Sequence, residues 1–311
     1  MASINTRPNS TFLVILAFAI VYVVWGSTYY FIQVAVISIP PMMLGALRFI
    51  AAGGLLMIWC VARGEKPGNR SQITYSVITG LMMLLGGTGA VIWAEKWLPS
   101  SLVAILISSS PFWFVLLDLP KWKENLTNRS IIAGLIIGFI GVNLMFYDKI
   151  TAAFSQGGNQ LELIGLGILL FGTISWAGGS LVSKYKASTT ANMTSAIQML
   201  AAGTVFVIGS ILLQEWKGFE WSEVPSGAWF SVVYLVIFGS LIAYSAYIWL
   251  LRVRSAAQVS TYAYVNPLIA VLLGVAFGGE HITLMQVAGL VVILIGVLLI
   301  NLSKFRKVVK K

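Results

Sequence analysis

Residues 252–280, RVRSAAQVSTYAYVNPLIAVLLGVAFGGE, decide how this chain is read. Two arginines and small residues open the stretch, an apolar run of roughly the 20 residues that a bilayer requires follows, and Gly-Gly-Glu closes it. Ser260, Thr261, Tyr262, Tyr264, Asn266 and Pro267 interrupt the run. Residues 93–124, WAEKWLPSSLVAILISSSPFWFVLLDLPKWKE, repeat the layout: Pro111 precedes Pro267 by 156 positions, and Trp93 precedes Trp249 by the same offset. The polar residues around the two prolines mark the expected middle of a pathway through a duplicated membrane protein.

Working outward, composition agrees. Of 311 residues, 58% are hydrophobic and 10% charged, and the mean hydropathy is +0.89. A soluble domain carries about 25% charged residues. Ten apolar spans of about 20 residues would occupy roughly two thirds of the chain and leave no room for a soluble domain. They are expected near 12–34, 42–62, 73–94, 99–119, 130–147, 162–182, 192–213, 228–250, 256–277 and 284–302. A polar, Gly/Ser/Asn-rich linker is expected at 148–161 and a basic tail at 303–311. The first apolar run lacks a small-residue cleavage site and reads as a retained helix. Cys60, the only cysteine, lies in an apolar run and reads as packing.

The repeat continues through the other spans. Trp25-Gly26-Ser27-Thr28 corresponds to Trp176-Ala177-Gly178-Gly179, and ALRFIAAG (46–53) to AIQMLAAG (196–203), which sets Arg48 against Gln198. Gly134 and Gly141 match Gly289 and Gly296. With the N-terminus inside, alternate loops and the C-terminal tail carry sixteen Lys and Arg on the inner side against three outside, with Arg48 within a span. That bias predicts a multi-pass inner-membrane protein with both termini cytoplasmic. Five helices per half is an odd number, so the second half enters from the opposite face. The expected fold is all-α, ten transmembrane helices in a five-plus-five inverted repeat covering 1–147 and 162–302, an arrangement typical of secondary transporters.

Together with Ser175-Trp176, FGSLIAY (238–244), AYVNPLIAVLLG (263–274) and Gly279-Glu280, these motifs resemble the EamA family of the drug/metabolite transporter superfamily, within it a branch of inner-membrane exporters. The resemblance covers roughly residues 12–302. It implies a ten-helix exporter of small metabolites such as amino acids. The branch can carry an acid at position 198, where this chain has Gln198.

The candidate substrate-binding residues are Tyr262, Asn266, Trp176, Tyr244, Ser27, Ser110, Arg48 and Gln198, with Glu95 as a coupling candidate. Thr261, Tyr262, Tyr264 and Asn266 together exceed what a proline kink needs, although Ser and Thr commonly bond back to their own helix. Trp176 and Tyr244 fall inside spans and can line a cavity, whereas Trp93 and Trp97 suit an interfacial belt. Arg48 lies about 10 Å below the outer surface at 1.5 Å per residue. An intramembrane charge is costly unless paired or used, and the alternative is an arginine that bonds helix-end carbonyls or snorkels outward. A pair with Glu95 is geometrically open. Glu124 and Glu280 are expected to position helix ends.

No ten-residue set of acids changes this picture: all ten lie in loops or at span ends, and the single histidine, His281, falls in an outer loop. Neither metal nor acid–base catalysis has a home in the spans, so the chain reads as no enzyme. It has no P-loop and implies no cofactor. The basic residues cluster in loops and a tail rather than along a polar face, so a lipid bilayer and a small-molecule substrate are the expected partners, and nucleic acid is not. Monomer and homodimer stay open. The expected substrates are neutral, zwitterionic or weakly anionic and amino-acid-like. The competing readings are a proton-coupled exporter of cationic compounds and a membrane scaffold that transports nothing.

Overall fold

The structure is a computed structural model that describes residues 11–98, 100–145, 147, 160–187, 189–278 and 283–302. Most of the expected linker and the whole basic tail, with Glu280 and His281, lie outside them. Among the described residues every regular element is helical. The long elements are α1 (Thr11–Ser38), α2 (Pro41–Ala62) and α3 (Arg70–Ala94). After these come α4 (Ser100–Ile107), α5 (Ser110–Leu117), α6 (Trp122–Thr127) and α7 (Arg129–Met145). The second half holds α8 (Gln160–Lys186), α9 (Ala191–Leu212), α10 (Ser226–Val253), α11 (Ala256–Val259), α12 (Tyr262–Gly278) and α13 (Leu284–Leu302).

Seven of these helices are long and apolar enough to cross a membrane, eight if α4–α6 counts as one bent span. The spans expected at 99–119 and 256–277 are each broken, at Ser108-Ser109 and at Ser260-Thr261. At both breaks the hydroxyls bond backward. Ser108 and Ser109 donate to the Ile105 and Leu106 carbonyls, and Ser260 and Thr261 donate to those of Ala257 and Gln258. Such bonds compete with the helical ladder and bend it, and Pro111 and Pro267 each remove a donor close by. The chain turns a further 68° between Val103–Leu117 and Leu119–Thr127.

The helices pack in reciprocal pairs. α2 lies along α9, and α7 along α13. α1 packs on α10 and α12, while α8 packs on α3, α4 and α5. The α7–α13 contact is made backbone to backbone. A Cβ at Gly289 would lie 2.6 Å from the Met145 nitrogen, and one at Gly296 2.6 Å from the Gly138 nitrogen. Without a hydrophobic force between helices in lipid, this close van der Waals approach is what holds such a pair. The ends of α2 and α9 also correspond. Gly64 and Gln214, 150 positions apart, both have positive φ (73° and 54°). In each case the next amide bonds back to close the helix, Glu65 to the Cys60 carbonyl and Glu215 to that of Ser210. The Glu215 carboxylate then caps the start of α2 through the Met42 and Met43 amides (3.2 and 2.8 Å), where the helix dipole favours a negative charge. Glu65 accepts from the hydroxyl of Thr190, the N-cap of α9. Large apolar side chains such as Ile37, Ile58, Phe171 and Leu212 are exposed on the outside, as a lipid-facing surface requires.

Candidate functional site

A cavity of about 720 Å3, its open mouth included, lies between the two halves. Its walls come from the C-terminal halves of α1 and α3, the N-terminal half of α2, and the middles of α8 and α10, with α4, α5 and α12 closing one side. Two of these helices are wound more widely where they meet it. α3 is a π-helix over Leu81–Thr88 and α10 over Leu235–Tyr244. Single π segments within α-helices occur frequently at functional sites because they re-aim side chains.

Six of the eight residues expected from the sequence line this space: Arg48, Ser110, Trp176, Tyr244, Tyr262 and Asn266. Ser27 and Gln198 stand outside its wall. Ser27 donates to the Val24 carbonyl at 2.7 Å and so accepts from the Tyr234 hydroxyl at 2.6 Å. Gln198 is fully buried, donating to Thr79 (2.8 Å) and Ser183 (3.1 Å) and accepting from the Tyr244 hydroxyl (2.8 Å). Glu95 is buried at the end of α3 and does not line the cavity. Thr261 and Tyr264 do not line it either: Tyr22 meets Thr261 at 2.6 Å, and Tyr264 donates to the Leu135 carbonyl at 2.8 Å, tying α12 to α7. The structure adds wall residues that the sequence reading did not single out, among them Tyr29, Thr88, Thr173, Gly239 and Ser240. The small-residue runs GGTG (86–89) and GS (239–240) were the available signal.

Below the cavity the helices are closed in layers. Trp25 packs against Trp176, Tyr247 and Tyr262 at centroid distances of 5.4, 4.8 and 5.1 Å. The Trp176 indole donates to the Tyr247 hydroxyl at 3.1 Å, which meets Ser180 at 2.7 Å. The Gln198 network forms the next layer. Beyond it, at the helix ends, Lys184 donates to the Leu251 and Arg254 carbonyls, and Arg252 donates to the Thr189 carbonyl and to the Thr194 hydroxyl. Tyr185 donates to Asp118 at 2.6 Å. Each layer satisfies its own polar groups, as burial demands.

Arg48 is 5% exposed. Its Nε donates to Ser240 Oγ at 2.9 Å, and its guanidinium carbon sits 5.1 Å from the Phe49 ring centroid. Nη1 has no hydrogen-bond partner among the described residues. The arginine therefore neither snorkels nor spends itself on helix-end carbonyls, and it is the single charged residue among the described residues lining the cavity. The Asn266 amide presents one end to the Tyr262 and Tyr22 carbonyls, 2.9 and 3.3 Å away, which assigns its NH2 there and leaves its oxygen on the other side.

Comparison with known proteins places these features. The EamA-like transporter family matches residues 12–147 and again 163–302. The uncharacterized inner membrane transporter YedA of Escherichia coli strain K12 is 35% identical over 286 residues, covering 91% of this chain and 89% of its own. A probable amino-acid metabolite efflux pump of Salmonella typhimurium is 26% identical, with 92% and 94% covered. A crystal structure 19% identical to this chain superposes with a TM-score of 0.77 over 94% of this chain and 98% of the other, which establishes a shared fold. Helical in every regular element among its described residues and matched twice by one family along its length, this chain belongs to the EamA-like transporter family.

Proposed function

We propose that the protein is a secondary transporter that exports small, amino-acid-like metabolites across the inner membrane by alternating access. The observation that carries this reading is the partly open cavity between the halves, backed by an aromatic layer, a polar layer and a latch at the helix ends. A pathway sealed on one side is what one end state of such a cycle requires. The architecture we propose is ten helices in a five-plus-five inverted repeat, 1–147 and 162–302, with both termini cytoplasmic. The paired breaks, the paired positive-φ residues and the reciprocal packing of α1 and α8 support it. The name of the Salmonella relative supports a solute of amino-acid kind. Trp176, Tyr244, Tyr262, Asn266, Ser110 and Arg48 then touch the solute, Ser27 and Gln198 hold the walls, and Glu95 is the coupling candidate.

The test is counterflow in proteoliposomes. Vesicles loaded with phenylalanine should accumulate labelled phenylalanine saturably, and heat-inactivated protein should not. Accumulation of a quaternary ammonium dye driven by a pH gradient and lost in Glu95→Gln would favour the cation exporter instead. Orientation has its own measurement. In a Cys60→Ser background, a membrane-impermeant thiol reagent added to spheroplasts should label Glu220→Cys but neither Lys66→Cys nor Lys123→Cys. Labelling at position 66 from outside would overturn the topology.

A further inference from the structure

We propose that Arg48 is a carboxylate-binding residue, and that the cavity prefers amphipathic organic anions, a carboxylate at one end and a planar apolar group at the other, over zwitterions of the same skeleton. The proposal rests on the cavity being a solute site, and deepens that reading by naming the charge class.

Charge provides the first argument. The guanidinium is buried in a wall that carries no other charged side chain among the described residues, so the charge of a solute beside it adds directly to that of the arginine. A carboxylate neutralises it. A zwitterion leaves the one net positive charge of the buried guanidinium, and an amine makes two. Interactions between charges strengthen as the surrounding dielectric falls, so this ordering is steeper here than on a protein surface.

Geometry gives the second. The guanidinium is already fixed at its Nε edge by Ser240 and lies over the Phe49 ring, while Nη1 has no partner among the described residues. A buried donor left unmade costs free energy, and a carboxylate oxygen is the strongest acceptor for it. The neighbouring residue positions the apolar end. The Gly239 carbonyl accepts the Trp25 indole N–H at 3.2 Å, so the π segment of α10 pins Trp25 and Arg48 at consecutive residues. Trp25 in turn stands edge-on to Trp176 and Tyr262. A solute with its carboxylate on Arg48 meets these aromatic faces within a short spacer. Gly239 is small for a reason that concerns the guanidinium directly: a Cβ there would lie 3.0 Å from Arg48 Nη2 and 3.3 Å from Thr28 Cγ2.

Three probes of one skeleton separate the charge classes: 3-phenylpropanoate, phenylalanine and 2-phenylethylamine. Binding to the full-length protein in nanodiscs is read by calorimetry and by tryptophan fluorescence. The expected order of affinity is propanoate, then phenylalanine, then amine, with about 10- to 100-fold between first and last, as a charge-assisted hydrogen bond implies. Arg48→Gln should remove that spread by weakening the propanoate, Arg48→Lys should retain part of it, and Gly239→Ala should reduce it while the charge stays. The wild-type order requires no variant to fold. Equal binding of propanoate and amine by the wild type, or a well-folded Arg48→Gln protein that keeps the spread, would overturn the proposal. Absence of phenylalanine counterflow in the wild type would instead overturn the transporter reading and leaves the order of binding to be judged on its own measurement.

Discussion

Gly296→Val should leave little folded protein. The valine Cβ would have to occupy space 2.6 Å from the Gly138 nitrogen and 2.8 Å from the Gly134 carbonyl oxygen and the Gly138 Cα. These are backbone atoms, so no side chain can rotate out of the way, and α7 and α13 must separate. Overpacking costs typically about 1–3 kcal/mol where side chains can adjust. With backbone on both sides, the upper end of that range or more is expected. In lipid, the lost approach is not replaced by a hydrophobic force, so the pair has no alternative way to hold together. The measurement is thermal unfolding in detergent alongside Gly54→Ala. Position 54 has nothing within 4 Å of an added Cβ, so its substitution should leave the melting temperature level or slightly raised. Equal melting of Gly296→Val and the parent would mean that the two helices are not in this contact.

The second large effect is expected at Gln198→Leu. Leucine removes the acceptor of the Tyr244 hydroxyl, whose remaining neighbour is the Met83 sulfur at 3.8 Å, a weak acceptor. It also removes the donor to Thr79 and Ser183. Thr79 loses less than the tyrosine does, because it still donates to the Tyr75 carbonyl at 2.7 Å. A buried group left without its partner costs about 1–3 kcal/mol, so a clear but partial loss of stability is expected. Transport should suffer more, by at least about tenfold, because Tyr244 is both a cavity wall and part of this layer; a rise of about 1.4 kcal/mol in the transport barrier suffices for that. Counterflow and melting measured on the same preparation separate the two effects. Normal flux in the leucine variant would show that the layer beneath the cavity does not govern passage.

Arg48 and Gln198 show how far the sequence could be followed. Their shared place in ALRFIAAG and AIQMLAAG marked them as equivalent positions, and both were expected at the solute. In the structure the arginine borders the cavity, and the glutamine is sealed into the layer on the other side. Inversion of the second half would explain why equivalent positions face opposite sides. One residue of the pair can then touch solute in this conformation while the other holds the closed end together.

The remaining division follows from what is local and what is not. Apolar length, proline position, the offsets between matching motifs and the one deep charge are properties of the chain itself, so composition and spacing pointed to a duplicated helical membrane protein, and its motifs resembled this family. Which way each residue faces was decided only by the tertiary structure. The π turns in α3 and α10 change the phase within those helices, so a 3.6-residue period cannot say that Thr88, Gly239 and Ser240 line the cavity, and the break at Ser260-Thr261 does the same for Thr261 and Tyr264, which do not. Likewise, the partner of Arg48 lies 192 positions away on another helix. Whether a nitrogen of that guanidinium is left open to a solute depends on how two halves interlock, and no local pattern encodes that.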